Sequence, residues 1–206
     1  MASIIEIGPY HSVDPKWKRG NYSDQRDLAR IAWELSLVDY PFSFAEELKE
    51  LSKVFPGAEP LEILDSGCGE GYSFPDFKDI GRQLGREIRI TGITMDTNHK
   101  PACLDNEVDI LVIGSVKRYF RRVRYLPKYH FILDYNGAGA SDVDGQELLK
   151  SGRVTLSIYN RILHPRGIAL MTYKGDIRQF RRQGMEIISG VGRYGYIFAR
   201  KFAETK

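Results

Sequence analysis

The sequence predicts an α/β fold of three layers, in which helices cover both faces of a mostly parallel β-sheet. Strand-like apolar runs alternate with helical segments from residue 60 onward. A glycine loop at residues 65–71 directly follows the first run and precedes a helical pattern. The last two runs are separated only by residues 190–195, too few for a helical crossover, so we expect them to pair as an antiparallel hairpin.

The bulk properties predict one compact domain. A chain of 206 residues is long enough to bury one sizeable core and short for two. It contains no run of about 18 apolar residues and no basic-then-apolar leader, so we expect a cytoplasmic protein that does not enter a membrane. Cys68 and Cys103 are the only cysteines, which does not suggest a disulfide framework, and the scattered histidines predict no metal site.

The chain divides by pattern into an N-terminal helical cap, residues 1–59, and a core, residues 60–206. The first twenty residues should be irregular, because prolines and a glycine interrupt them. An amphipathic helix is expected over 24–38. A second begins at Ser43, which forms a capping-box pattern with Glu46. We expect these two helices to cover the ligand pocket.

The core should contain seven strands. They are expected at residues 61–64, 88–94, 108–113, 129–133, 168–173, 185–189 and 196–202. Helices are expected over 74–84, 142–150 and 153–163.

The loop at 65–71 has the composition of a nucleotide-binding turn. Its glycines allow a sharp turn and a close approach of the backbone to a ligand. The helix that follows presents unpaired N–H groups and the positive end of its dipole. In an open α/β sheet, ligands bind in the crevice beyond the carboxyl ends of the strands. The alternative is a tight turn that needs glycine for its geometry alone.

The spacing of the glycines indicates which nucleotide is bound. A dinucleotide fingerprint starting at Gly67 would need glycine at position 72, where the chain has Tyr72. The loop instead begins with an acid, Asp65, which would repel a pyrophosphate. An acid suits a ligand that is cationic or offers amino donors, such as the methionine part of S-adenosyl-L-methionine.

Residues 63–71, Ile-Leu-Asp-Ser-Gly-Cys-Gly-Glu-Gly, resemble the first motif of class I (Rossmann-like) S-adenosylmethionine-dependent methyltransferases. Residues 90–94 resemble the second strand of that family, and 163–170 the turn into its fifth. The terminal hairpin is similar to its antiparallel seventh strand. The resemblance spans residues 60–202 and implies strand order 3-2-1-4-5-7-6, S-adenosyl-L-methionine as cofactor and methyl transfer as activity.

The resemblance and the loop together predict a cofactor site. Its residues are Asp65, Ser66, Gly67, Cys68, Gly69, Gly71, Thr94, Asp96, Ser115 and Asp134.

Two positions depart from the family's pattern. Thr94 stands where the family has an acid that binds both ribose hydroxyls. Either Asp96 reaches the ribose through a longer loop, or Thr94 and a neighbour such as Asn98 make weaker contacts with it. Alternatively, Asp96 caps a short helix that follows it. Ser115 stands where an acid often touches the adenine, and it either contacts the adenine or caps the segment 116–124.

The resemblance implies that the exit of the fourth strand is beside the transferable methyl group. Asp134, Tyr135 and Asn136 are therefore the candidate catalytic residues, with Asp134 as base or orienting acceptor. A base is needed only if the acceptor arrives protonated. The alternative is that these residues shape a glycine-rich turn. The run lacks the paired prolines of amino-methylating nucleic-acid enzymes.

Basic and aromatic residues alternate in the segment 117–128. Its cations include Lys117, Arg118, Arg121, Arg122 and Arg124. This composition suits contact with RNA or DNA through phosphates and stacked bases. Alternatively, its aromatic residues pack on the sheet and the arginines are solvated.

Three functions remain compatible with the sequence. We expect a methyltransferase acting on a small or peptide-like acceptor. The alternatives are a nucleic-acid methyltransferase that uses the segment 117–128, and a non-catalytic subunit of the same fold that binds a partner or senses the ligand.

Overall fold

The computed structural model describes residues 2–7, 27–36, 42–134, 155–173, 176–190 and 196–203. The strands are β1 Ser3–Glu6, β2 Leu61–Asp65, β3 Ile88–Thr94, β4 Ile110–Ile113, β5 Tyr129–Asp134, β6 Leu163–Thr172, β7 Met185–Gly190 and β8 Tyr196–Lys201. The helices are α1 Leu28–Ser36, α2 Phe44–Val54, α3 Ser73–Leu84, α4 Lys100–Asp105, α5 Val116–Arg122, α6 at residues 155–162 and α7 Arg178–Arg182, with a short 3₁₀ helix, Thr97–His99, before α4.

The described strands form one sheet in the order β1-β4-β3-β2-β5-β6-β8-β7. Neighbours are parallel except β8, which runs antiparallel to both β6 and β7. Strands β2 to β8 therefore stand in the predicted order 3-2-1-4-5-7-6, and the predicted terminal hairpin is confirmed. The seven strands expected in residues 60–206 are present, but the sheet has eight strands instead of seven, because β1, outside that range, adds one at the edge beside β4.

Strand β1 lies within a region expected to be irregular. It is only four residues long, and its apolar pattern is too short to indicate a strand. It forms because the open edge of β4 offers it hydrogen-bonding partners. Ile7, which follows it, is buried over Gly114, where an added Cβ would lie 2.6 Å from the Ile7 side chain.

Apolar side chains form a core on each face of the sheet. On one face, α1, α2 and α3 pack together, and Phe44 and Phe77 both contact Phe131 of β5. On the other face, α5 and α6 contribute Tyr119 and Tyr159. Helices α1 and α2 thus share a core with α3. The domain boundary at residue 60 stays a prediction, and so does the role of these two helices as a cover of the ligand pocket.

Local sequence signals account for the helix ends. Ser43 caps α2 by accepting a hydrogen bond of 3.3 Å from the backbone N–H of Glu46, as predicted. Gly85 ends α3 in the left-handed conformation, with φ of 64°. The expected helix at 142–150 lies outside the described residues. None of the helices in the described part of the chain is long and apolar enough to cross a membrane.

Strand β6 begins at Leu163, five residues earlier than its apolar run suggests. Its register shifts: Leu163 pairs with Tyr129, whereas Ile168 pairs with Phe131. The residues between them form an irregularity that includes Arg166 at φ of 65°. Proline and glycine are unfavourable inside strands, so Pro165 and Gly167 kept the sequence pattern from indicating a strand start at Leu163.

Candidate functional site

The glycine loop lies between β2 and α3 and is tied to the strands on both sides of β2. The N–H of Ser66 donates to the carbonyl of Leu133 on β5 over 2.8 Å. The N–H of Cys68 donates to the carbonyl of Ile93 on β3 over 3.2 Å. The loop therefore sits at the carboxyl ends of three parallel strands, where this architecture binds ligands.

Two glycines of the loop have backbone conformations that disfavour side chains. Gly69 has φ of 53° and Gly71 has φ of 77°. A Cβ at position 71 would overlap the ring of Phe74, whereas one at position 69 would meet no atom within 4 Å. Gly71 therefore packs against the protein, and the space beside Gly69 is open to a ligand.

Asp65 ends β2 directly below the loop and is only 4% exposed. Its carboxylate accepts a hydrogen bond of 2.7 Å from the hydroxyl of Ser73, the first residue of α3. The positive end of the α3 dipole also favours a negative charge at this place. A buried carboxylate is thus fixed at the base of the crevice.

Tyr159 joins two predicted site residues and is a residue that sequence reasoning missed. Its phenol, on α6, donates a hydrogen bond of 2.9 Å to the carboxylate of Asp134 and is also hydrogen-bonded to the hydroxyl of Ser66. Burial raises the pKa of Tyr159 well above its usual value, and the charge of Asp134 raises it further. Tyr159 is therefore protonated and donates to Asp134, so Ser66 donates to the Tyr159 oxygen.

Asp134 is fully buried at the end of β5. It is the one candidate catalytic residue within the described part of the chain. Tyr135 and Asn136 lie outside the described residues, so their roles stay predictions.

The end of β3 carries no acid, as the sequence indicated. The hydroxyl of Thr94 is buried, lies 3.1 Å from Nδ1 of His99 and accepts from the N–H of Asp96 over 3.3 Å. The carboxylate of Asp96 accepts from the N–H of Asn98 and so caps the 3₁₀ helix. The capping alternative for Asp96 is thus observed, and contact of Asp96 or Thr94 with a ribose stays a prediction.

Ser115 also acts as a helix cap. Its hydroxyl accepts a hydrogen bond of 3.3 Å from the N–H of Arg118 at the start of α5. This is one of the two roles that the sequence indicated. Because Ser115 is half-exposed beside the end of β4, contact with an adenine stays a prediction for the same residue.

Two side chains, one in helix α4 and one directly after it, donate hydrogen bonds to backbone carbonyls of the loop. The thiol of Cys103 donates to the carbonyl of Gly69 over 3.2 Å, and the amide of Asn106 donates to the carbonyl of Glu70 over 3.0 Å. Burial and the neighbouring Cys103 thiol raise the pKa of Cys68 well above its usual value. Cys68 is therefore neutral, and its contact with a cofactor stays a prediction.

The segment 117–128 has a buried side and a charged side. Tyr119 and Phe120 are buried in the second core, whereas Arg121, Arg122 and Arg124 are exposed. This matches the alternative in which the aromatic residues pack on the sheet, and leaves the proposed contact with nucleic acid as a prediction.

Comparison with solved structures identifies the fold. CalS10, an amino pentose methyltransferase of Micromonospora echinaspora solved with S-adenosylmethionine, has a TM-score of 0.53 at 11% identity, over 76% of this chain and 89% of its own. A Listeria monocytogenes protein assigned to the class I S-adenosylmethionine-dependent methyltransferases has a TM-score of 0.53 at 11% identity, over 92% of this chain and 65% of its own. The plantazolicin methyltransferase BpumL, solved with S-adenosylhomocysteine, has a TM-score of 0.50 at 13% identity, over 77% of this chain and 82% of its own.

These similarities show that the chain has the class I methyltransferase fold. The sequence identities of 11% and 13% support the fold and do not extend to activity or substrate. The chain spans less than two thirds of the Listeria protein and 42% of another plantazolicin methyltransferase, BamL. No protein-family model matches the sequence, and no curated protein matches it.

Proposed function

We propose that this chain is an S-adenosylmethionine-dependent methyltransferase that holds its cofactor on the loop at 65–71. The observation that carries the proposal is the buried carboxylate of Asp65 at the end of β2, beneath a glycine loop that opens beside Gly69. A buried carboxylate attracts a cationic ligand and repels a pyrophosphate. S-adenosylmethionine bears an ammonium and a sulfonium, and a solved structure of this fold contains it.

The polar side chains around the loop fit the methionine end of S-adenosylmethionine. Asp65 and Asp134 place two buried carboxylates at the carboxyl ends of neighbouring strands, β2 and β5. The open space beside Gly69 leaves room for the ligand to approach the backbone. The structure offers fewer groups to bind the ribose of the cofactor. Thr94 stands where the family has an acid, and its hydroxyl already contacts His99.

When bound, the cofactor supplies a methyl group on a positively charged sulfur, which an acceptor nucleophile displaces in line. The chain's part in such a reaction is mainly orientation, which contributes up to about 7–11 kcal/mol. We assign Asp134 as base or orienting acceptor at the β5 exit. Tyr159 fixes its carboxylate there and would keep it in position while an acceptor binds.

We infer that the acceptor is a small molecule or a peptide-like molecule. Solved structures of this fold include an amino pentose methyltransferase and a plantazolicin methyltransferase. The buried aromatic side chains of α5 leave the segment 117–128 few exposed rings for base stacking. A nucleic-acid acceptor is the alternative, and its binding would weaken steeply as salt is raised.

A non-catalytic, ligand-sensing subunit is the second candidate. The observation that favours it is the set of hydrogen bonds at the end of β3, where Thr94 contacts His99 and Asp96 caps the next turn. These bonds occupy the groups that would otherwise hold a ribose. A chain of this kind would bind the nucleotide weakly and transfer no methyl group.

Methyl transfer from labelled S-adenosylmethionine separates these candidates. The purified chain would be incubated with small-molecule, peptide and RNA fractions, and the label measured in each. We expect label in the small-molecule or peptide fraction and less of it with Asp134→Asn. Label in RNA alone would favour the nucleic-acid alternative. Nucleotide binding without label in any fraction would favour the sensing subunit.

A further inference from the structure

A groove of about 320 Å³ lies between α5 and α6, on the face of the sheet opposite α1 to α3. Its floor is apolar and its rim carries two arginines. The floor is formed by Phe120, Leu126, Ile158 and Ile162, and the rim by Arg121 and Arg161. A volume of this size is at the lower end of the range for pockets that bind ligands, about 300–1,000 Å³.

The surroundings of the groove are strongly basic. Residues 115–130 contain no acid. The exposed cations nearby are Arg121, Arg122, Arg124, Lys128 and Arg161. None of these five forms an ion pair with an acid in the ranges that the structure describes. Clustered charge of one sign around an apolar groove favours a partner of the opposite sign.

The groove lies toward the opposite ends of the strands from the glycine loop. Leu126 lies just before the start of β5, and Ile162 lies directly before the start of β6. The groove is therefore near the amino ends of two parallel strands, whereas the loop lies at the carboxyl ends.

We propose that the α5–α6 groove binds an acidic amphipathic helix of a partner protein. Apolar side chains of that helix would enter the floor, and its carboxylates would meet Arg121 and Arg161. Helices bind grooves of this kind through apolar anchors spaced by three and four residues. Long arginine side chains also extend apolar surface along the rim, which adds to the contact with the anchors.

The floor favours a peptide over a nucleic acid. Three of its four apolar residues are aliphatic, and aliphatic side chains offer bases no ring on which to stack. The fourth, Phe120, is buried against the rings of Tyr119 and Tyr129. Tyr125 is 80% exposed but does not line the groove.

Fluorescence anisotropy with a designed probe tests the proposal on the full chain. The probe is a labelled peptide with leucine at positions i, i+3, i+4 and i+7 and glutamate or aspartate elsewhere. We expect saturable binding that weakens as salt rises. A second peptide keeps the acids and replaces each leucine by serine, and we expect it to bind at least tenfold more weakly. A single-stranded RNA of mixed sequence is the third probe.

Variants locate the binding. Arg121→Glu combined with Arg161→Glu should weaken the leucine peptide at least tenfold, and so should Ile158→Ser. Arg82→Glu, an exposed charge reversal on α3 at the opposite face, should leave the affinity unchanged. Unchanged circular dichroism spectra would show that each variant is folded.

Three results would overturn the proposal: no binding of the leucine peptide, equal binding of the serine peptide, or RNA binding that the groove variants abolish while peptide binding persists. No probe contains S-adenosylmethionine, so the outcome is independent of the proposed methyl transfer.

Discussion

The phenol of Tyr159 donates a 2.9 Å hydrogen bond to the carboxylate of Asp134, and both side chains are fully buried. The same phenol oxygen is hydrogen-bonded to the hydroxyl of Ser66 in the glycine loop. One side chain from α6 thus connects the end of β5 with the turn after β2. The proposed cofactor loop and the proposed acceptor side of the crevice are held in a fixed relation by this contact.

Replacing Tyr159 by phenylalanine should destabilise the protein. Removal of the hydroxyl leaves the buried carboxylate of Asp134 without this donor, which costs about 1–3 kcal/mol. Urea denaturation measures the change in the free energy of unfolding. Tyr129→Phe is the matched control, because its buried hydroxyl has the neutral side chains of Thr91 and Tyr119 as hydrogen-bonding neighbours and feels the carboxylate of Glu62 only through its charge. If Tyr159→Phe lowers the free energy of unfolding no more than Tyr129→Phe does, the hydrogen bond from Tyr159 to Asp134 does not stabilise the protein as described.

Alanine at two loop glycines should have unequal effects on stability. Both positions have positive φ, which costs an L-residue about 1–2 kcal/mol. Only at Gly71 does the new methyl group also overlap Phe74. We therefore expect Gly71→Ala to lower the free energy of unfolding by at least about 1 kcal/mol more than Gly69→Ala. Equal losses would mean that the loop does not pack on Phe74 as described.

Gly69→Ala should also weaken ligand binding. Its Cβ enters the open space beside the loop, where no protein atom lies within 4 Å. Calorimetric titration should show weaker binding of S-adenosylhomocysteine to a variant that is still folded. Unchanged affinity would place the ligand elsewhere.

His130 should make the protein less stable in acid. Burial, helped by the neighbouring His164 and Arg86, lowers the pKa of His130 to about 4. In the unfolded chain its pKa is about 6.5, so between these values the unfolded state binds more protons. The stability associated with neutral His130 is therefore complete above about pH 6.5 and falls as the pH approaches 4.

His130→Asn tests this pH dependence. His130 Nδ1 accepts a hydrogen bond of 2.9 Å from the N–H of Glu62, and the asparagine oxygen is an acceptor that does not titrate. Thermal melts at pH 7 and pH 5 should show a smaller decrease in Tm for the variant than for the unmodified chain. His99→Asn, on a half-exposed histidine, is the control. Equal decreases in the variant and the unmodified chain would contradict the assignment.

Much of the fold was predictable because its signals are local. The limits of β3 follow from its apolar run, and the caps at Ser43 and Ser115 follow from a hydroxyl before a helical pattern. The glycine loop was predictable because its spacing, its acid and its strand–helix setting all occur within a few residues.

The features that were missed depend on residues far apart in the sequence. Strand β1 is stabilised by its pairing with β4, about a hundred residues later, and has little apolar pattern of its own. Tyr159 contacts Ser66 across 93 positions, so no spacing in the sequence indicates it. Only the folded sheet brings such partners together.

The most direct test of the proposed function is calorimetric titration of the full chain with S-adenosylmethionine and S-adenosylhomocysteine, comparing the unmodified protein with Asp65→Asn. The control is Asp79→Asn, an exposed acid on α3. We expect saturable binding of both nucleotides to the unmodified chain and to Asp79→Asn, and at least tenfold weaker binding to folded Asp65→Asn. No heat with the unmodified chain, or equal affinity in Asp65→Asn, would contradict a cofactor site on this loop.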